Sequence, residues 1–98
     1  MADPRYCYIL VFDQLAGTML EVSEFLNANE EVFLNWATDM PNCFFIVSEY
    51  AAVDLARLFR EFLPDRSRFI IADLDTDKAG SLSRATWSLI AKPKGVND

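Results

Sequence analysis

Tyr6-Cys-Tyr-Ile-Leu-Val-Phe12 and Cys43-Phe-Phe-Ile-Val47 decide the fold. Each is a strand-length run of aromatic and β-branched residues, apolar at odd and even positions alike. Tyr8 and Leu10 stand on one face of the first run, Ile9 and Val11 on the other; Phe44 and Ile46 oppose Phe45 and Val47 in the second. A sheet with one wet face alternates apolar and polar residues instead. These two strands are therefore expected at the centre of a sheet covered on both sides.

Around them the helical period takes over. Leu15, Met19, Val22 and Leu26, with Phe25 alongside, oppose Glu21, Glu24 and Asn27 and predict a helix over about 18–28. Thr18 followed by Glu21 is the capping-box pattern. Glu31 to Thr38, with Val32, Leu34 and Trp36 on one face, reads as a strand; Asp39-Met-Pro-Asn42 reads as the turn that makes it a hairpin with 43–47. Leu55, Leu58, Phe59 and Phe62 predict a second helix over about 50–63, ended by Pro64 and Asp65. Arg57 and Glu61 are spaced in it for a pair worth about 0.3 kcal/mol. Arg68 to Leu74 is a fourth strand, and Asp75 to Ser83 is a polar loop with Gly80. Ala85 to Ala91 fits a short helix or an edge strand, and 92–98 reads as a frayed tail.

The order β-α-β-β-α-β predicts an α+β, ferredoxin-like single domain: a core over about 5–75 and a C-terminal extension over 76–98. Both helices then lie on one face of a four-stranded antiparallel sheet. The first and third strands are expected at its centre as parallel neighbours, which puts Cys7 and Cys43 within about 10 Å of each other as free thiols. Two helices cover one face only. A second copy of the chain, packed sheet to sheet, is expected to cover the other, with Tyr8, Ile9, Phe44 and Phe45 as its contact residues and the face unassigned.

Composition limits the chemistry. The 98 residues hold no His, which removes Ser-His-Asp and Cys-His catalysis and His-ligated zinc. Two cysteines without a CxxC are too few for a four-ligand metal site, so no cofactor is expected. The longest apolar run falls far short of the roughly 20 residues of a membrane span, and Met-Ala-Asp-Pro lacks the features of a signal peptide; a cytoplasmic location without membrane contact is expected. Net charge is −6. Residues 1–56 carry nine acids and one base, a balance of −8, and residues 57–98 carry six acids and eight bases, a balance of +2. That balance argues against unaided binding to nucleic acid.

Several stretches look familiar. A Tyr-bearing strand ending in Asp (YILVFD, 8–13), a hairpin with Trp36 and Phe44-Phe-Ile-Val-Ser48, a helix of the form A-x-x-L-x-x-x-F and a strand FIIADLD (69–75) together resemble the small SinR-like bacterial proteins. More distantly they resemble the group of CRISPR-associated protein-two, VapD and GhoS, which are ferredoxin-like dimers. The resemblance spans about residues 5–75. It implies a bacterial defence or toxin–antitoxin setting. It also implies that Asp13, which closes the first strand, matches the carboxylate that binds a divalent metal in nucleic-acid-cleaving members.

Asp13 is thus the candidate catalytic and Mg²⁺-binding residue. Asp73, Asp75 and Asp77 open like a calcium loop, but Lys78 and Arg84 stand where that loop needs Gly and Glu. Arg57, Arg60, Arg66 and Arg68 gather near the end of the second helix, interleaved with Glu61 and Asp65. The function expected from these residues is a non-enzymatic, dimeric module that binds another protein. The alternative is a metal-dependent nuclease acting on RNA or DNA through Asp13.

Overall fold

The computed structural model describes residues 5–13, 17–74 and 78–91. Its elements are β1 (Tyr6–Phe12), α1 (Met19–Ala28), β2 (Asn35–Ala37), β3 (Cys43–Ser48), α2 (Ala52–Phe62), β4 (Phe69–Asp73) and α3 (Arg84–Ala91). The strands form one sheet in the order β2-β3-β1-β4, each antiparallel to its neighbours. The chain is a small α+β protein. Among the described residues no helix is long and apolar enough to cross a membrane. Leu15 and the tail at 92–98 lie outside the described residues.

The relation between the two central strands corrects the expectation. β1 and β3 are antiparallel, with Tyr6 opposite Ser48 and Val11 opposite Cys43. α1 carries the chain back so that β2 repeats the direction of β1, and the hairpin then reverses it into β3. Cys7 consequently lies opposite Val47, four residues along β3 from Cys43, or about 13 Å. Both thiols are free.

β2 is shorter than the sequence suggests. The main-chain N–H groups of Val32 and Phe33 both donate to the Asn29 carbonyl at 2.9 Å, so the chain makes another turn after α1 before it extends. The Ser48 hydroxyl donates to the Val32 carbonyl at 2.7 Å and fixes that turn to the end of β3. Strand pairing begins only where the Leu34 N–H donates to the Val47 carbonyl.

α1 starts as predicted. The Glu21 N–H donates to Thr18 Oγ1 and the Thr18 N–H to Glu21 Oε1, which satisfies two otherwise orphaned donors. Gly17 precedes this box at φ 124°, a conformation that side chains rarely adopt. In α2, Arg57 turns back to Asp54 at 3.5 Å instead of forward to Glu61.

α1 and α2 pack on one face of the sheet. Tyr8, Leu10, Phe12, Phe44 and Ile46 meet Val22, Leu26, Leu55 and Phe59 there. Phenylalanines dominate this layer: Phe25 stacks on Phe62 at 4.1 Å, and Phe33 and Phe59 are 5.5 Å apart. The opposite face carries α3. Cys7, Cys43, Phe45 and Val47 pack with Ile90, and Trp87, Leu82 and Ile9 close the edges of that cluster.

α3 is also held at its N-terminus. Asp39, in the β2–β3 turn, accepts the Ser83 N–H at 2.7 Å, and Ser83 Oγ accepts the Thr86 N–H at 3.3 Å. The Ser83 N–H holds the Asp39 carboxyl below the usual carboxylate range against weak desolvation, with help from the Thr86 and Ser83 hydroxyls. A carboxylate depressed on folding stabilises above its unfolded value, near 4, and the contribution fades as pH falls through the lower folded value. Asp39→Ala is therefore expected to lower the hydrogen-exchange protection of α3 amides at neutral pH while leaving β1 and β3 protected. Acidification below pH ~4 should lower α3 protection in the wild type with little further loss in the variant. Equal α3 protection in the two proteins at neutral pH counts against the clamp.

Candidate functional site

Asp13 stands at the end of β1, facing the start of β4. Its N–H donates to the Arg68 carbonyl at 3.0 Å, and its Oδ2 accepts the Arg68 N–H at 3.3 Å. The carboxylate thus joins two strand ends. Among the described residues, no three Cys, Asp or Glu side chains gather into a group able to hold a metal ion. Asp73 lies in the sheet opposite Tyr8, while Asp75 and Asp77 fall outside the described residues.

The four residues expected at an interface divide between the two faces. Tyr8 and Phe44 belong to the core under α1 and α2, and Phe45 lies under α3 with Ile9 at its margin. Tyr8 Oη donates to the Tyr50 carbonyl at 2.8 Å. Burial first, then the Asp73 charge, push this phenol up to about 12, so it stays a donor. α3 supplies within one chain much of the cover that the sequence assigned to a second copy. The neighbours Val11 and Ile70 stay 41% and 62% exposed on that face.

Each tryptophan sits on a different face. Trp36 donates from Nε1 to Asn27 Oδ1 and meets Phe44 edge-on at 5.3 Å. Trp87 lines a cavity of about 230 Å³ between α3 and the sheet, together with Ile9, Phe45 and Ile90. Its lining is mainly apolar and drawn largely from the cluster that also holds Cys7 and Cys43. Burial pushes the Cys7 thiol up to about 11, aided by the Asp73 charge and opposed by Lys78; burial alone raises Cys43.

A larger opening lies between α2 and β4, a groove of about 800 Å³. Ala52, Val53 and Ala56 form its helical wall, and Phe69, Ile70 and Ile71 its strand wall. Arg60 and Arg68 supply charge, and among the described residues no acidic side chain lines it. The groove exists because Ala52 and Ala56, one helical turn apart, do not fill the space beside the strand. Arg66, in the turn between α2 and β4, has φ 72°, a strained conformation for a bulky residue.

β4 is an edge strand. The Arg68 carbonyl accepts from Asp13, and the Leu74 N–H donates to the Cys7 carbonyl. Alternation along an antiparallel ladder then directs the main-chain groups of Ile70 and Ala72 toward β1, and those of Phe69 and Ile71 away from the sheet. Edge strands are ordinarily blunted by Pro, Lys or a bulge. Phe69-Ile-Ile-Ala72 has none of these, and Asp73, which ends the strand, is the one charge within β4.

The sequence singled out the arginines but did not separate them, since Arg57 is paired within α2 and Arg60 and Arg68 face the groove. It missed the groove itself, whose only signal is an apolar final strand at an edge position next to a helix with alanines one turn apart. In comparisons with known proteins, the chain matches no family model, no curated protein and no solved structure.

The thiols report on the cover given by α3. Both cysteines should react slowly with a thiol reagent in the folded chain and completely on denaturation without reductant. Ile90→Asp, which places a charge against the second face, is expected to accelerate native labelling at least ~10-fold, about 1.4 kcal/mol of lost protection. Unchanged labelling rates would show that α3 does not shield them.

Proposed function

We propose that this chain is a non-enzymatic, ferredoxin-like module that binds another protein through the groove between α2 and the edge of β4. The sheet order β2-β3-β1-β4 and the packing of α1 and α2 on one face support the ferredoxin-like assignment. The binding assignment is carried by one observation: an open apolar groove with two arginines and no acid, beside an unblunted strand edge. Val53, on its helical wall, is 61% exposed; Ile70, at the strand edge with its side chain on the α3 face of the sheet, is 62% exposed. Large apolar side chains held in water around a concave surface mark interaction sites.

The homodimer belongs to this proposal in reduced form. Its remaining support is the exposed pair Val11 and Ile70, because α3 occupies much of the second face. A bacterial defence or toxin–antitoxin setting rests on the SinR-like resemblance. Against nuclease chemistry stands the local duty of Asp13, whose carboxylate accepts the Arg68 N–H.

A photoreactive amino acid in place of Val53 or Ile70 is expected to trap a discrete protein in the cells that make this chain. The same group in place of Leu20, exposed on α1, should trap none. Trapping that does not distinguish these positions, or no trapping, would overturn the proposal. Mg²⁺- or Mn²⁺-dependent cleavage of RNA or DNA that vanishes in Asp13→Ala would replace it with the nuclease alternative.

A further inference from the structure

We infer that the occupant of the α2–β4 groove is an extended acidic segment of a partner protein, added to the edge of β4 as a fifth strand. This deepens the protein-binding proposal and rests on it.

Three features point to that chemistry. The first is the main chain. Phe69 and Ile71 direct their N–H and C=O groups out of the sheet, and only another extended backbone satisfies such groups in series. β4 is five residues long, about 17 Å, enough for a short segment to pair along it. The second is the side-chain setting. Successive side chains of an added strand point to opposite faces. One set would enter the space left by Ala52 and Ala56 beside Val53; the other would lie along Ile70. Apolar residues suit both positions. The third is charge. Among the described residues neither the Arg60 nor the Arg68 guanidinium has an ion-pair partner, in a chain whose net charge is −6. Carboxylates beside the apolar residues of the segment would meet these two groups.

The same features disfavour other occupants. A nucleic acid would meet the arginines but has no extended amide backbone to pair in series with the outward main chain of Phe69 and Ile71. A second copy joined through this edge would set the basic groove against itself, since a two-fold contact uses one patch twice.

The test uses the full chain and a fluorescent synthetic peptide with a core of consecutive valines flanked by glutamates, followed by anisotropy. Binding is expected, with the amides of Phe69 and Ile71 gaining protection from exchange. A peptide with a central proline, and one with lysine for glutamate, should each bind at least ~10-fold more weakly, about 1.4 kcal/mol. Arg60→Glu combined with Arg68→Glu should invert the preference and favour the lysine peptide. Equal binding of the proline peptide would overturn strand addition, and equal binding of the lysine peptide would overturn the acidic assignment. Displacement of the peptide by a single-stranded RNA would assign the groove to nucleic acid. Concentration-dependent self-association that protects the Ile71 amide would assign it to a second copy. If no peptide binds while photoreactive groups at Val53 and Ile70 still trap a protein, this inference fails and the protein-binding proposal stands; if neither occurs, both fail.

Discussion

β1 and β3 carry apolar side chains on both faces, and the rest of the chain is arranged to take both sets out of water. α1 and α2 together cover the face bearing Tyr8, Leu10, Phe44 and Ile46. The face bearing Cys7, Phe45 and Val47 receives one eight-residue helix. Burying a side chain of this size is worth about 2 kcal/mol, so neither face can be left bare in a domain of this length. The cover is unequal, and the inequality places the exposed features. Where α3 does not reach, Val11 and Ile70 meet solvent. Where the wall of α2 narrows to alanine, the groove opens.

Much of this was legible in the sequence because its signals are local. Thr18 and Glu21 announce a helix start through groups three residues apart, and the apolar runs of β1 and β3 leave little alternative to buried strands. What escaped depends on distant partners. The β2 strand is cut short by the Asn29 carbonyl and the Ser48 hydroxyl, and Val32 and Phe33 give no sign of either. Asp13 was found by position, but its partner is the main-chain N–H of Arg68, which has no sequence signature. The segment of α3 fitted two kinds of element, because eight residues are too few to establish a period. Its task depended on knowing that the second face was open. The direction of β3 relative to β1 was implicit in the connections and was misread.

Charge is distributed to similar effect. The acidic first half meets the mildly basic second half at the Arg57–Asp54 pair. Arg5 meets Glu49 and Arg57 meets Asp54, both pairs partly or well exposed, where such contacts contribute little. Arg60 and Arg68 are thus left as a local basic feature in an acidic field. At physiological salt that field decays over about 8 Å. An approaching anion meets a net acidic chain and, at the groove, two arginines.

The position of α3 along the chain has a consequence for folding. It follows all four strands, so the sheet can assemble before its second cover exists. Until α3 docks, Phe45, Val47 and the two thiols lie on an open β-surface beside the β4 edge, a combination prone to association between chains. A helix of eight residues thereby closes a kinetic window as well as a surface.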